Sequence, residues 1–271
     1  MPPLLREQRR QLGNFAKPQA PGHIRLLSFN IQVGIGTGAY HHYLTKSWQH
    51  LLPTGTRNSN LDRIAGLIRH FDIVALQEVD GGSFRSGFIN QVEYLANKSL
   101  MPFWYQQLNR DLGPFAQHSN GVLSRYRPCL VEDHKLPGFV PGRGAILLRF
   151  GEGADALLVI VMHLALSRGA QARQLAYIRE LIGEHKHVVL MGDMNTHAEH
   201  LLVNSPLNDL GLHCVSNGLP TFPSWQPQKS LDHILVSDSV QITKAATLNL
   251  PISDHLPVAL EIRLPQTVTL L

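Results

Sequence analysis

The feature that most constrains this chain is a recurring alternation. A short, unbroken apolar run ends in polar residues, a helical stretch with one apolar face follows, and another such run comes after it. Asp72-Ile73-Val74-Ala75-Leu76-Gln77 is too uniformly apolar for a strand with one wet face, so it is expected to be covered on both, with Glu78 at its C-terminal end. Ahead of it, Leu61, Ile64, Ala65 and Ile68 recur at helical spacing after Asn58-Ser59-Asn60, whose side chains suit an N-cap. The pattern returns as Leu157 to Met162 ending in His163, a helix with Leu175, Ile178 and Ile182 on one face, and Val188 to Met191 ending in Gly192-Asp193. Ile24 to Asn30 opens the series before a glycine-rich turn, and Leu231 to Val236 and Val258 to Ile262 close it. Such alternation excludes an all-β sandwich and predicts helices packed over sheets. The polar residues of interest gather at strand ends, where open α/β architectures build their sites.

A chain of 271 residues, 44% hydrophobic and only 16% charged, is long and apolar enough for one large core and excludes both disorder and a coiled coil. One domain is expected over residues 23–265, with a flexible basic tail at 1–22 and a short C-terminal tail at 266–271. The net charge of +4 belongs to the first 25 residues, where Arg6, Arg9, Arg10, Lys17 and Arg25 face Glu7 alone. The remainder is balanced, which counts against an enzyme that tracks a long duplex, because each phosphate contact needs a cation on the folded surface. No apolar run is long enough for a signal-peptide core or a membrane span, so a cytoplasmic protein is expected; the basic tail allows only weak peripheral contact with acidic lipid. Cys129 and Cys214 form no disulfide framework and lack metal-site spacing, and both are expected to be reduced and mostly buried.

Six stretches carry the candidate chemistry: Ser28-Phe29-Asn30, Gln77-Glu78-Val79, His163-Leu164, Gly192-Asp193-Met194-Asn195, Leu231-Asp232-His233-Ile234 and Ser253-Asp254-His255-Leu256-Pro257. Singly, each has a bland explanation. Asp232 reads as an ordinary carboxylate at a strand start, Asn195 as the partner of an Asx-turn, and Asn30 as a turn former before Gly34. Their order and spacing say more. Together they resemble the endonuclease/exonuclease/phosphatase superfamily, which includes DNase I, exonuclease III, neutral sphingomyelinases, inositol polyphosphate 5-phosphatases, nocturnin-like enzymes and tyrosyl-DNA phosphodiesterases. The likeness runs from about Ile24 to Ile262, with all six blocks in family order and Asn120 to Arg125 similar to a further strand block.

The resemblance implies a DNase I-like, four-layered α/β sandwich, with two mixed β-sheets face to face and helices outside. It also implies hydrolysis of a phosphoester, with a phosphodiester expected, by an activated water and a bound Mg²⁺ or Mn²⁺. Such a reaction needs a nucleophilic water, charge stabilisation on the phosphoryl oxygens and help for the leaving oxygen. Mg²⁺ prefers oxygen ligands and needs only one or two carboxylates, so Glu78 is the principal candidate ligand, with Asn30 and Asp254 beside it. By the same likeness, Asp193 and Asn195 bracket the scissile phosphate, and Asp232 orients His255 through one ring nitrogen. Whether Asp193 or His255 is the base stays open. His163 stands where exonuclease III-like enzymes carry asparagine and DNase I-like, sphingomyelinase-like and nocturnin-like members carry histidine. It therefore argues against an abasic-site endonuclease and for a phosphate or leaving-group contact.

Asn120 and Arg143 are carried as candidate substrate contacts, with His118 beside them and a surface salt bridge as the competing reading for the arginine. The segment 31–58, with His41-His42, Tyr43 and Trp48, reads as a surface loop or substrate lid rather than a second metal site. Three classes of function remain in view. The favoured one is a nuclease or nucleotide phosphodiesterase, the second a phospholipid or inositol-phosphate esterase, and the third a catalytically silent binding module.

Overall fold

The computed structural model describes residues 13–17, 19–34, 55–139, 141–214 and 219–270. Twelve strands run β1 (His23–Asn30), β2 (Ile73–Asp80), β3 (Phe103–Asp111), β4 (Gln117–Ser124), β5 (Leu130–Lys135), β6 (Gly144–Phe150), β7 (Leu157–His163), β8 (His187–Asp193), β9 (Leu212–His213), β10 (Asp232–Ser237), β11 (Gln241–Thr247) and β12 (Val258–Arg263) among the described residues. They make two six-stranded sheets, ordered β11-β12-β1-β2-β4-β3 and β5-β6-β7-β8-β10-β9. Each sheet is mixed, with one parallel pair at its centre, β1 beside β2 in the first and β7 beside β8 in the second. Among the described residues, the helices that pack on the sheets are α1 (Gly55–Ile68), α2 (Gln91–Ser99), α3 (Arg168–Ile182) and α4 (Ala198–Val203).

The period-two alternation of strand side chains sorts the apolar residues into three layers. Leu26, Ile73, Ala75, Val159, Val161, Val189, Met191, Ile234 and Leu260 point between the sheets and form one core cluster. Their chain neighbours turn outward. Leu27, Val74 and Leu76 pack under Leu61, Ile64 and Ile68 of α1 and Leu95 of α2, while Leu158, Ile160 and Leu190 pack under Leu175, Ile178 and Ile182 of α3 and Leu201 of α4. A central strand is thus apolar on both faces because both are covered. Each fully buried Leu, Ile or Val contributes roughly 1.5–3 kcal/mol, so the cores dominate stability and leave the strand ends free to carry polar chemistry. The result is the four-layered α/β sandwich, helices outside and sheets within.

Several local expectations need correction. Helix α1 begins at Gly55, so Asn58, Ser59 and Asn60 lie inside it rather than capping it. The Asn60 amide instead donates to the Gly34 carbonyl at 3.1 Å, tying the helix to the turn after β1. An Asn cap does occur on α2, where Asn90 accepts from the backbone N–H groups of Val92 and Glu93. The packed domain extends beyond 23–265: Phe15 is 1% exposed and stacks against Phe71, and Val268 and Leu270 pack on the inter-sheet core. Cys214 is buried as expected but Cys129 is exposed. Of the segment read as a loop or lid, residues 35–54 lie outside the described residues, with His41, His42, Tyr43 and Trp48 among them, as do Arg6, Arg9 and Arg10 of the tail.

Candidate active site

The site forms where the C-terminal ends of the two parallel pairs meet across the sandwich. In the first pair Asn30 is level with Gln77, and in the second His163 is level with Asp193. Two backbone devices set the side chains. On β2 the register against β4 shifts between Leu76 and Val79, and Glu78 has φ 55°, a left-handed conformation that costs a residue other than glycine on the order of 1 kcal/mol or more. This bulge buries Gln77 and turns Glu78 half into the open. On β8, Gly192 has φ 151°, and a Cβ there would lie 1.8 Å from the Met162 carbonyl oxygen. Only glycine lets β8 close on β7 tightly enough to set Asp193 beside His163.

Asp193 is the hub. Its Oδ2 accepts from the Asn30 amide at 3.1 Å and lies 3.4 Å from His163 Nε2 and 3.9 Å from His255 Nε2. Its Oδ1 accepts the Asn195 backbone N–H at 3.0 Å, so the Asx-turn exists and serves the site by fixing the carboxylate. The same Asn30 amide donates to Glu78 Oε1 at 3.1 Å, while its own oxygen accepts from the Gln32 N–H. In this orientation Asn30 bridges two carboxylates through its nitrogen, and an ion-facing Oδ1 requires the amide to turn over.

Asp232, fully buried, accepts from Thr221 Oγ1 at 2.5 Å and pairs through Oδ2 with His255 Nδ1 at 2.7 Å. Burial opposes charge on His255, but Asp232, Asp193 and Asp254 together outweigh it and hold the imidazole pKa well above its ordinary value. His163 goes the other way. Burial, then Arg143 and His255, push it well below the usual range, and the neutral ring accepts a hydrogen bond from the Arg143 guanidinium. Burial raises Asp193 to about 7, with Asp232 and Glu78 adding to the rise and His255 and the Asn30 hydrogen bond opposing it. Burial likewise raises Asp254 to about 6, with Glu78 adding to it against His255.

The structure therefore brings Asn30, Glu78, His163, Asp193, Asp232, Asp254 and His255 together. Arg143 faces inward with them and has no carboxylate salt bridge among the described residues, against the surface-pair reading; Glu78 and Asp193 act on its charge. Asn195 lies beside the site, but its amide donates to the Leu164 carbonyl at 2.9 Å. Asn120 is 1% exposed and donates to the Gly144 carbonyl at 3.0 Å, so it straps the first sheet to the second while lining the cavity next to Arg143. Thr221 and Phe222 escaped sequence reasoning, and so did the reason for Gly192. Phe222 lies on the His255 ring with centroids 4.9 Å apart. Thr221 and Phe222 sit in a loop without periodicity, and only tertiary contact identifies them. Gly192 was in plain view inside a strand pattern, where a lone glycine signals close backbone approach.

For a divalent cation, Glu78, His163 and Asp193 each offer one ligand atom within 4.8 Å of the others, and Asp193, Asp232 and His255 form a second such group. Three carboxylates, Glu78, Asp193 and Asp254, crowd the first of these. Burial is the main cause that holds two of them up to about 7 and about 6, and Glu78 adds to both, a repulsion that a cation would relieve. Hard oxygen donors with one flanking imidazole suit Mg²⁺ or Mn²⁺.

The model of the "Endonuclease/Exonuclease/phosphatase family" matches residues 27–255. No curated protein matches the chain by sequence. Among solved structures it is similar to an endonuclease/exonuclease/phosphatase from Beutenbergia cavernae, with TM-score 0.70 and 19% identity over 89% of this chain and 72% of that one. It is also similar to a mannosyl-6-phosphatase from Bacteroides thetaiotaomicron, with TM-score 0.62 and 17% identity over 88% and 99%. A third similar structure, D. rerio TDP2 complexed with a single-strand DNA product, has TM-score 0.62 and 16% identity over 89% and 99%.

Proposed function

The chain belongs to the endonuclease/exonuclease/phosphatase family of phosphoester hydrolases, and from that premise we propose that it is a Mg²⁺-dependent phosphodiesterase acting on a nucleic acid or nucleotide. Glu78, with Asp254 and Asn30 beside it, would hold the ion. When bound, the ion supplies Lewis-acid polarisation of the phosphoryl oxygens.

The observation that carries the reading is the pairing of Asp193 with His255 at 3.9 Å, both held more basic than usual, one as a carboxyl and the other as an imidazolium. A carboxyl held near 7 works well as a general base at neutral pH, because it is ionised often enough to act and basic enough to take a proton. His255, already held as imidazolium by Asp232, is unsuited to that role and suited to donating to a phosphoryl oxygen as negative charge grows there. Asp193 is thus the proposed base and His255 with Asp232 the electrostatic pair. Arg143 contacts a phosphoryl oxygen and is aligned by the neutral His163, which also faces the leaving group. The test is hydrolysis of bis-p-nitrophenyl phosphate and of DNA with Mg²⁺, with Mn²⁺ and with EDTA. Metal-dependent turnover that falls about 10²–10⁴-fold in Asp193→Asn is expected, the size of a lost general base; undiminished turnover in that variant would remove Asp193 from the role.

One observation favours a second reading, a phospholipid ester at a membrane surface. The turn after β2 is zipped to the β3–β4 hairpin, Phe84 N–H to the Pro114 carbonyl at 2.6 Å, which groups the exposed side chains of Phe84, Phe88, Leu112 and Phe115. Aromatic and apolar residues at a rim suit a lipid interface as well as a base. No helix among the described residues is long and apolar enough to cross a membrane, so this contact would be peripheral. Hydrolysis of phospholipid vesicles in preference to DNA, lost on Phe88→Ala with Phe115→Ala, would establish it over the nucleotide reading.

A further inference from the structure

A cavity of about 280 Å³ adjoins the reaction centre, lined by Glu78, Arg143 and His163 of the site and by Asn109, Arg110 and His118 of the β3–β4 pair. We propose that Arg110, with His118 and Arg143, forms a second anion subsite that takes a further phosphoryl group of the substrate, one sugar away from the scissile one. The inference rests on the phosphoester reading of the same site and adds what the substrate must carry.

Backbone geometry builds this cavity. Arg110 pairs across the strands with His118, next to a register shift between Leu108 and Arg110 that re-aims the end of β3. On the facing loop Gly142 has φ +108°, and a Cβ there would come within 3.3 Å of the Arg110 Cβ. A bare glycine is what allows the loop to lie against Arg110, with Arg143 as the next residue. Two guanidinium groups and an imidazole are therefore held around one space.

Glu78 and Asp193 act on the Arg143 charge from across the site, but this compensation stops short of direct pairing. Among the described residues neither Arg110 nor Arg143 has a carboxylate salt bridge, whereas the nearby Arg85 is paired with the buried Asp80. Asp111, next to Arg110 in sequence, is engaged with the Gly113 N–H at 2.8 Å. Burial depresses the His118 pKa, with Arg85 and Arg110 adding to the fall and Glu78 and Asp80 opposing it. Like charges gathered at a cavity mouth repel unless an anion enters, and a planar guanidinium fork matches the oxygens of a phosphoryl group. Because the cavity shares Arg143 with the catalytic centre, one molecule can place its scissile phosphoryl there and its second in the cavity. A nucleotide strand and a multiply phosphorylated sugar both supply that chemistry.

Calorimetric binding in EDTA tests this without turnover or metal bridging. The ligands are a 2′-deoxynucleoside 3′,5′-bisphosphate against its 5′-monophosphate and fructose 1,6-bisphosphate against fructose 6-phosphate, on the wild type, Arg110→Ala and Arg110→Lys. In at least one pair the bisphosphate is expected to bind about tenfold tighter, the size of one charge-assisted hydrogen bond. That advantage disappears in Arg110→Ala and partly survives in Arg110→Lys. The pair that shows it identifies the source of the phosphoryl group. Equal affinities in both pairs, or an advantage that survives Arg110→Ala, would overturn the subsite. Failure to hydrolyse bis-p-nitrophenyl phosphate would count against the phosphoesterase reading instead.

Discussion

Both sheets place a parallel strand pair at their centre, flank it with antiparallel neighbours and cross over between its strands through a helix, yet the two pairs end in opposite electrostatic states. The first pair ends in Asn30 and Glu78, with Glu78 half-exposed on a strained bulge and steadied by the Asn30 amide. The second ends in His163 and Asp193, in register and buried, with Arg143 and the His255–Asp232 pair around them. The protein thus supplies its own cations to one half and leaves the other rich in acid. The comparison teaches that one architecture, used twice, separates two duties. An acid-rich, adaptable end is suited to receiving a cation, and a closed, charge-matched end is suited to moving a proton.

The largest effect should come from the acid-rich half. Glu78→Ala should reduce metal-dependent turnover by at least about 10³-fold, with a thermal transition nearly unchanged in EDTA because the side chain is half-exposed and strained in place. A variant that turns over normally would erase the distinction between the halves. Next, Asp232→Asn in the charge-matched half should cost about 10²–10⁴-fold in kcat, since an amide can hold His255 in the wrong tautomer and cannot sustain the imidazolium. Unlike Glu78→Ala it should also lower the melting temperature, because it disrupts a fully buried ion pair. Steady-state kinetics and calorimetry on the two variants side by side check both statements.

How much of this division could be read beforehand differs between the halves. Layering was legible because the period-two and helical patterns are local, and Leu26 and Leu27 already declare opposite faces. His163 and Asp193 end regular runs, so their places at strand ends were legible from position, while the roles expected of them came from the family resemblance. Glu78 was legible as a residue but not as a conformation, since nothing in Gln77-Glu78-Val79 announces a bulge or a positive φ. The start of α1 was misplaced because Asn58 to Asn60 read equally as a cap or as a first exposed turn, and tertiary contact with Gly34 decided it. Thr221 reaches Asp232 from eleven residues away through an aperiodic loop, and Arg110 reaches the cavity only through pairing with β4. Such residues are set by long-range topology, which leaves no local periodic trace.

A smaller effect sharpens the comparison through pH. Asp193 held near 7 and Asp254 near 6 must both be ionised to stand beside a divalent ion, so binding releases protons. The apparent affinity for Mg²⁺ should weaken about tenfold per pH unit for each proton released as pH falls through 7 and then 6. Titration calorimetry in two buffers of different ionisation enthalpy would count the protons. A metal affinity flat from pH 8 to 5 would mean that these carboxyls lie outside the ion's reach and that the cation duty rests on Glu78 alone.

The smallest effect is on stability, and its sign separates a functional carboxylate from a structural one. A carboxyl whose pKa is raised on folding binds its proton more tightly in the native state, so its contribution is most favourable below the unfolded value and is lost as pH rises through the folded one. For Asp254 the window runs from the ordinary 3.8 to about 6. Asp254→Asn should therefore leave the melting temperature unchanged near pH 4 and raise it by a few °C at pH 8 in EDTA, since two units correspond to at most about 3 kcal/mol. Asp193→Asn should behave alike with a larger gain, its window reaching about 7. Asp80 supplies the contrast. Burial raises its pKa, but hydrogen bonds from Arg85 and Ser83 outweigh that and bring it down to about 2, so Asp80→Asn should destabilise at pH 8 and lose that effect only in strong acid. If all three variants shifted the melting temperature in one direction at pH 8, the strain on Asp193 and Asp254 would not be electrostatic, and their readiness for a cation would need another cause.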